Sequence, residues 1–171
     1  PYAGSDPDVR VRYWRWPYWK KESLYHIGET PLRTGGYLRT RLFLDRYRNR
    51  LDSFDDATYS TQRRPSSFTS IQSDQSYGGS LELGGTVGAR QVLKGGVSFR
   101  DDTHREGNLG EPRRSFRAQT VSIGFEDTFQ LSERMSLTGA GSADRLEVTH
   151  AEDFNKGVVS PFPVSSLWAF N

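Results

Sequence analysis

The segment Ser115–Leu131, SFRAQTVSIGFEDTFQL, decides the fold. Val121, Ile123, Phe125, Phe129 and Leu131 fall on one face with Asp127, while Thr120, Ser122, Gly124, Glu126, Thr128 and Gln130 fall on the other. A period of two over this length marks an extended strand with unlike faces. The pattern recurs on both sides. In Gln91–Asp102, Leu93, Gly95, Val97 and Phe99 oppose Lys94, Gly96, Ser98, Arg100 and Asp102. In Ser76–Gly85, Tyr77, Gly79, Leu81 and Leu83 oppose Ser76, Gly78, Ser80, Glu82 and Gly84. Met135, Leu137, Gly139, Gly141 and Ala143 oppose Ser136, Thr138, Ala140, Ser142 and Asp144. Tyr37–Asp52 is noisier: Leu38, Thr40, Leu42 and Leu44 oppose Arg39, Arg41 and Asp45, and both faces turn polar beyond Leu44. Ser23–Pro31 sets Tyr25 and Ile27 on the apolar side against His26, Gly28 and Thr30. Val9–Trp19 alternates poorly and contains Pro17, a residue of strand ends and edges.

With Ser166–Asn171 added, these segments predict an all-β chain: an antiparallel up-and-down meander of about seven long strands and the start of an eighth. No segment carries a helical stripe. The apolar rows are thin and interrupted by glycine, and the polar rows carry Glu, Lys, Arg and Asp. A sandwich needs thick apolar inner faces on two sheets, whereas a thin outward row over a polar interior suits part of a transmembrane β-barrel. The connections agree. Tight turns are expected at Arg33–Gly36, Gly85–Arg90 and Ser132–Arg134, and long loops at Asp55–Asp74, Thr103–Arg114 and His150–Ser165, with a brief link at Lys20–Glu22. Short turns at one end and long loops at the other are the pattern of periplasmic turns and extracellular loops.

Composition narrows the function. The chain of 171 residues is 34% apolar, 26% charged and 13% aromatic, with a formal net charge of +2. That is one domain's length, and the balance lacks the one-sided field of a nucleic-acid binder. There is no cysteine, so disulfides, thiolate metal sites and thiol nucleophiles are excluded. No apolar run approaches the roughly 18 residues of a membrane-spanning helix.

The stretch Arg12–Lys20, RYWRWPYWK, places three tryptophans, two tyrosines and three cations in nine positions. Rings with polar tips beside cations favour the boundary between lipid and water. Trp14, Trp16, Tyr18, Tyr25 and Tyr37 are therefore expected as membrane-interface aromatics, with the chain turning at Trp19 and Lys20 into an outside loop. A sharper reading has Trp16, Tyr18 and Trp19 stacking on an incoming ligand.

The pattern RYWRWPYWKKESLYHIG, the turn TGG and YLRTRLFLDRYRNRLDSFDDATYS resemble the middle barrel strands of TonB-dependent outer-membrane receptors. VSIGFEDTFQLSERMSLTGAGSADRLEV and SSLWAFN resemble the strands that follow in that family, so the likeness runs from about Arg12 to Asn171. It implies a bacterial outer-membrane location and a barrel closed by further strands. It also implies a plug domain contacting TonB, and import of a small scarce ligand such as an iron chelate or cobalamin. No TonB box and no plug are found in the chain, which is expected to be part of one barrel, residues 1–171 forming a single unit. The expected partners are outer-membrane lipid, the remainder of the barrel and plug, TonB through that plug, and a small ligand. Nucleic acid is not expected. Two other readings remain: a complete small eight-stranded outer-membrane barrel, structural or enzymatic, and a soluble sugar-binding β-sandwich.

Site chemistry is sparse. Trp19, Tyr59, Phe68, His104 and Arg105 are the candidate ligand contacts, on the expectation that they lie on loops at one end. His26, His104 and His150 have no partner at metal-ligand spacing, so no metal, cofactor or catalytic residue is expected and the protein is read as a non-enzyme. Asp55-Asp56 and Asp101-Asp102 read as solvated strand ends, and no motif supports a serine hydrolase. The glycine pairs are followed by no helix and mark curvature rather than phosphate loops. Arg39, Arg41, Arg46, Arg48 and Arg50 are expected to face the lumen and pair with acids such as Glu82 or Glu126.

Overall fold

The computed structural model describes residues 11–33 and 35–171. Residues 9 and 10 of the first expected strand and Thr34 of the first turn lie outside them. The described chain forms one antiparallel sheet from β1 (Tyr13–Pro31), β2 (Gly36–Phe54), β3 (Thr69–Val87), β4 (Gln91–Asn108), β5 (Arg114–Ser132), β6 (Met135–Asn155), β7 (Val158–Pro161) and β8 (Ser166–Phe170). The order is β1 to β7 in sequence, with β8 paired to the middle of β6. No pairing joins β1 to β8, so the described sheet is open.

Several boundaries differ from expectation. Ser23–Pro31 and the aromatic segment are one strand, β1, and there is no link at Lys20–Glu22. Pro17 is accommodated by a bulge between Arg15 and Tyr18 and does not end the strand. The expected loop Thr103–Arg114 is mostly strand, with only residues 109–113 between β4 and β5. His150 lies within β6, which turns at Lys156-Gly157 into the short β7. The alternation of connections holds: the turns before β2, β4 and β6 share one end, and the links before β3, β5 and β7 share the other.

Register sorts the side chains. Leu24 faces Leu44, Leu44 faces Tyr77, Leu81 faces Val97, Val97 faces Ile123 and Ile123 faces Ala143. Directly opposed residues share a face, so these form an apolar band across six strands. The band is uncovered: Leu24, Leu42, Leu81, Leu83, Val97, Ile123, Phe125 and Leu137 are all exposed. Ala151 is the one buried apolar residue among those described, and Asn49, Asp52, Ser53, Asp55, Thr69 and Asp101 are the buried polar ones. A single-layer sheet has no core of its own.

The other face is charged. Tyr25 faces Phe43 and Ile27 faces Arg41, placing both on this side, opposite to the face their alternation suggested. Tyr37 is there too: it faces Gly84 and folds across it, so that a Cβ at Gly84 would lie 2.5 Å from the Tyr37 ring. Beyond the apolar band β2 to β5 continue toward the loop end with polar residues on the band's own face, at Arg46, Arg48, Gln75, Thr103 and Arg117, as well as on the other, at Asp74 and His104.

Candidate functional site

The aromatic segment forms a ladder. Trp14 and Trp16 meet edge to face at 5.7 Å, Trp16 and Trp19 are 6.2 Å apart, and Trp19 meets Tyr47 of β2 at 6.1 Å. The Arg12 guanidinium lies over Trp14 at 4.9 Å. The Pro17 bulge supplies the extra residue that brings Trp16 and Trp19 to the same side. Trp19 faces Asn49, whose amide donates to the Tyr47 hydroxyl (3.0 Å) and to Gln72 (3.1 Å). The buried Asn49 thus fixes the lower ring.

Tyr47 joins the ladder to a cavity of about 560 Å³ on the charged face. One row, Lys21–Tyr47–Asp74–His104–Phe116, crosses five strands through successive opposed pairs. The next row toward the turn end carries Ser23, Asp45, Ser76, Asp102 and Ala118. Asp45 accepts from Ser23 (2.5 Å) and Tyr25 (2.9 Å), and Lys21 stands 3.8 Å away. His104 Nδ1 lies 2.5 Å from Asp74 and Nε2 lies 3.3 Å from Glu106, with the ring tilted over Phe116 at 6.1 Å. Arg100 pairs with Asp102 (2.7 Å), which also accepts from Ser76. The cavity therefore offers aromatic faces beside an almost balanced set of ion pairs.

Nearer the turn end, a second cavity of about 520 Å³ is floored by small residues, including Ser80, Gly96, Ser98, Ser122, Gly124 and Ser142. Arg39 bridges Glu29 (2.8 Å) and Glu82 (2.9 Å), Tyr37 donates to Glu82 (2.7 Å), and Lys94 pairs with Glu126 (2.7 Å). The pairings expected for Arg39 are present. Arg46, Arg48 and Arg50 lie on the opposite side, facing Glu22, Lys20 and Tyr18.

The predicted contacts are not gathered in one place. Trp19 and His104 share the charged face. Arg105 faces Ser73 and Ser115 on the other side of the sheet, so it and His104 diverge, and neither is on a loop. Tyr59 is a loop residue with positive φ (54°), packed on Phe54 (5.6 Å) and Tyr13 (6.3 Å) under Arg15. Phe68 ends the same loop, its carbonyl accepting from Ser53 and Gln62. Of the expected interface rings, Trp14, Trp16, Tyr25 and Tyr37 lie on the charged side, and Tyr18 faces Arg50 on the other. Asp55 anchors its loop: the Ser67 hydroxyl beside it, the amides of Arg63 and Arg64 and the Thr61 hydroxyl hold its carboxyl well below the usual range. Asp56 is lowered as well, by the Thr58 hydroxyl and amide.

Tyr47, Asp74, Asn49 and Phe116 were not anticipated. For Asp74 the signal was the turn at Gly88–Arg90: Asp74 and His104 stand equally far from its centre, Ala89, and therefore face each other. No group of three or more metal-ligating side chains occurs among the described residues. No helix is long and apolar enough to cross a membrane, which leaves crossing by strands open. No family model, no curated protein and no solved structure matches the chain.

Proposed function

We propose that this sheet is part of the barrel wall of an outer-membrane receptor of the TonB-dependent type, its apolar band against lipid and its charged face toward the lumen. The observation that carries the reading is the single-layer sheet with a bare apolar band on one face and networked ions on the other. A bare face of this kind requires a cover, and lipid tails cover an outward row while water and protein fill the inside. Strands of 18 to 21 residues exceed the roughly 9–11 needed to span, so their loop-end halves project beyond the membrane. In that setting the Trp14–Trp16–Trp19–Tyr47 ladder lines the outer mouth and hands a captured ligand to the cavity around His104. The cavity nearer the turns, floored by Gly and Ser, leaves room for a plug. The one sheet of the described residues offers no second layer for a soluble sandwich.

An antibody against the exposed 55–68 loop tests this on intact cells and fractionated envelopes. Surface labelling, and a band in the outer-membrane fraction several times larger than 19.4 kDa, are expected. A soluble, unlabelled protein refutes the membrane reading. An outer-membrane band at the chain's own mass favours the small complete barrel.

A further inference from the structure

Above its apolar band, the lipid-side face carries unpaired cations. Lys20 faces Arg48 across β1 and β2, Arg48 faces Ser73, and Ser73 faces Arg105. These residues form one row, and Arg46 lies two positions from Arg48 on the same side. All four cations are exposed. Like charges directly opposed across a ladder destabilise it, and among the described residues none of the four makes an ion pair. Glu22, opposite Arg46, is the nearby carboxylate, and it pairs with none of them. On the charged face Lys21, Arg39, Lys94 and Arg100 are each bound to an acid, and on the apolar-band face Arg50, Arg117 and Arg145 are bound likewise, so the four cations of this cluster stand apart from their paired neighbours on the same face.

Position specifies the missing anion. Arg46 and Arg48 lie two and four residues beyond Leu44, where β2 leaves the apolar band. At about 3.3 Å per residue and a tilt near 45°, that is roughly 5 and 9 Å above the apolar edge. The headgroup layer of a bilayer begins at that edge and is about 5–8 Å deep, within reach of long side chains. Arg48 and Arg105 are two strand spacings apart, roughly 10 Å, a separation suited to a multiply phosphorylated or clustered headgroup.

We propose that Lys20, Arg46, Arg48 and Arg105 form a binding site for the net-anionic phosphate headgroups of membrane lipids in the leaflet nearest the long loops. The site rests on the assignment of the apolar face to lipid. The full chain is purified in neutral detergent micelles doped with phosphatidic acid or phosphatidylcholine, and lipid retained is read by native mass spectrometry. Preferential retention of phosphatidic acid is expected. It should weaken about a hundredfold in the triple variant Lys20→Gln, Arg48→Gln, Arg105→Gln and stay unchanged in Arg90→Gln at the opposite end. Equal retention of both lipids, or a triple variant that behaves as the parent, overturns the site. Displacement of phosphatidic acid by millimolar inorganic phosphate overturns the lipid as its source. A chain that binds no detergent and stays monodisperse without it overturns the membrane assignment and this site together, whereas a detergent-requiring chain indifferent to phosphate overturns this site alone.

Discussion

Asp101 sits where the apolar band ends, and its replacement tests how the upper sheet is held. Its side chain is 1% exposed. It accepts from Arg117 Nε (3.1 Å to each oxygen), Arg117 Nη2 (2.8 Å) and Gln119 Nε2 (2.7 Å), tying β4 to β5 on the face that carries the apolar band. Hydrogen bonds to a charged group contribute about 1.5–3 kcal/mol each, and they do not add independently. The Arg117 side chain is 45% exposed and regains water when released. Asp101→Ala is therefore expected to cost about 3 kcal/mol, near the lower end for a broken buried pair. With a urea dependence of about 2 kcal/mol per M, the midpoint falls by roughly 1.5 M. Asp101→Asn, which keeps shape and one acceptor, should lose about half as much. The assay is urea unfolding of the full chain in detergent, followed by tryptophan emission. A midpoint for Asp101→Ala within about 0.3 M of the parent, or Asp101→Leu above it, would show that the pair is not what joins these strands.

Gly78 lies in β3 between β2 and β4, where a Cβ would run into the Phe99 carbonyl oxygen, while at Gly139 nothing lies within 4 Å. Gly78→Val should abolish folded yield, and Gly139→Val should leave it unchanged, both judged by resistance to protease in detergent. The depressed carboxyl of Asp55 makes the 55–68 loop sensitive to acid. Its folded value lies below the unfolded one, so its contribution is complete above about pH 4 and is lost as pH falls further. Protection of the loop amides against exchange, taken relative to the intrinsic rate at each pH, should hold down to that point and then fall, and Asp55→Asn should lack it at every pH. Lys156 (φ 51°) and Gly157 (φ 85°) form a two-residue turn with both φ positive, the geometry that favours Asn-Gly. Lys156→Asn should slow exchange in β7 severalfold, and unchanged exchange would count against strain at that residue.

The strands and their polarity could be read from the chain because a period of two survives wherever one face differs from the other. Ser115–Leu131 satisfies that condition and β5 spans it. Boundaries failed where the condition lapses. Thr103–Arg114 was expected as a loop because it is rich in glycine, proline and charge, yet β4 reaches Asn108 through hydrogen bonds to β3 and β5 that are indifferent to side-chain polarity. Pro17 suggested a strand end because it lacks a donor. A bulge absorbs it. The alternation of Ser23–Pro31 alone assigns Tyr25 and Ile27 to the apolar side, and the register with β2 overrides it, setting them opposite Phe43 and Arg41 on the charged face.

The site was hidden for a related reason. Trp19, Tyr47, Asp74, His104 and Phe116 come from five strands, and no local spacing connects them. Only register does, and a one-residue error in any hairpin sends a side chain to the opposite face. Adjacent residues show how much this matters. Asp101 and Asp102 looked like one solvated acidic pair, but their side chains leave opposite faces: Asp101 is buried under Arg117, and Asp102 meets Arg100 and Ser76 in the cavity. His104 and Arg105 divide in the same way, one toward the cavity and one into the cationic row. In a single-layer sheet each strand therefore serves two environments at once. If the proposed receptor reading holds, single substitutions at the adjacent His104 and Arg105 should separate effects on a ligand from effects on lipid, because register sends the two side chains to opposite faces.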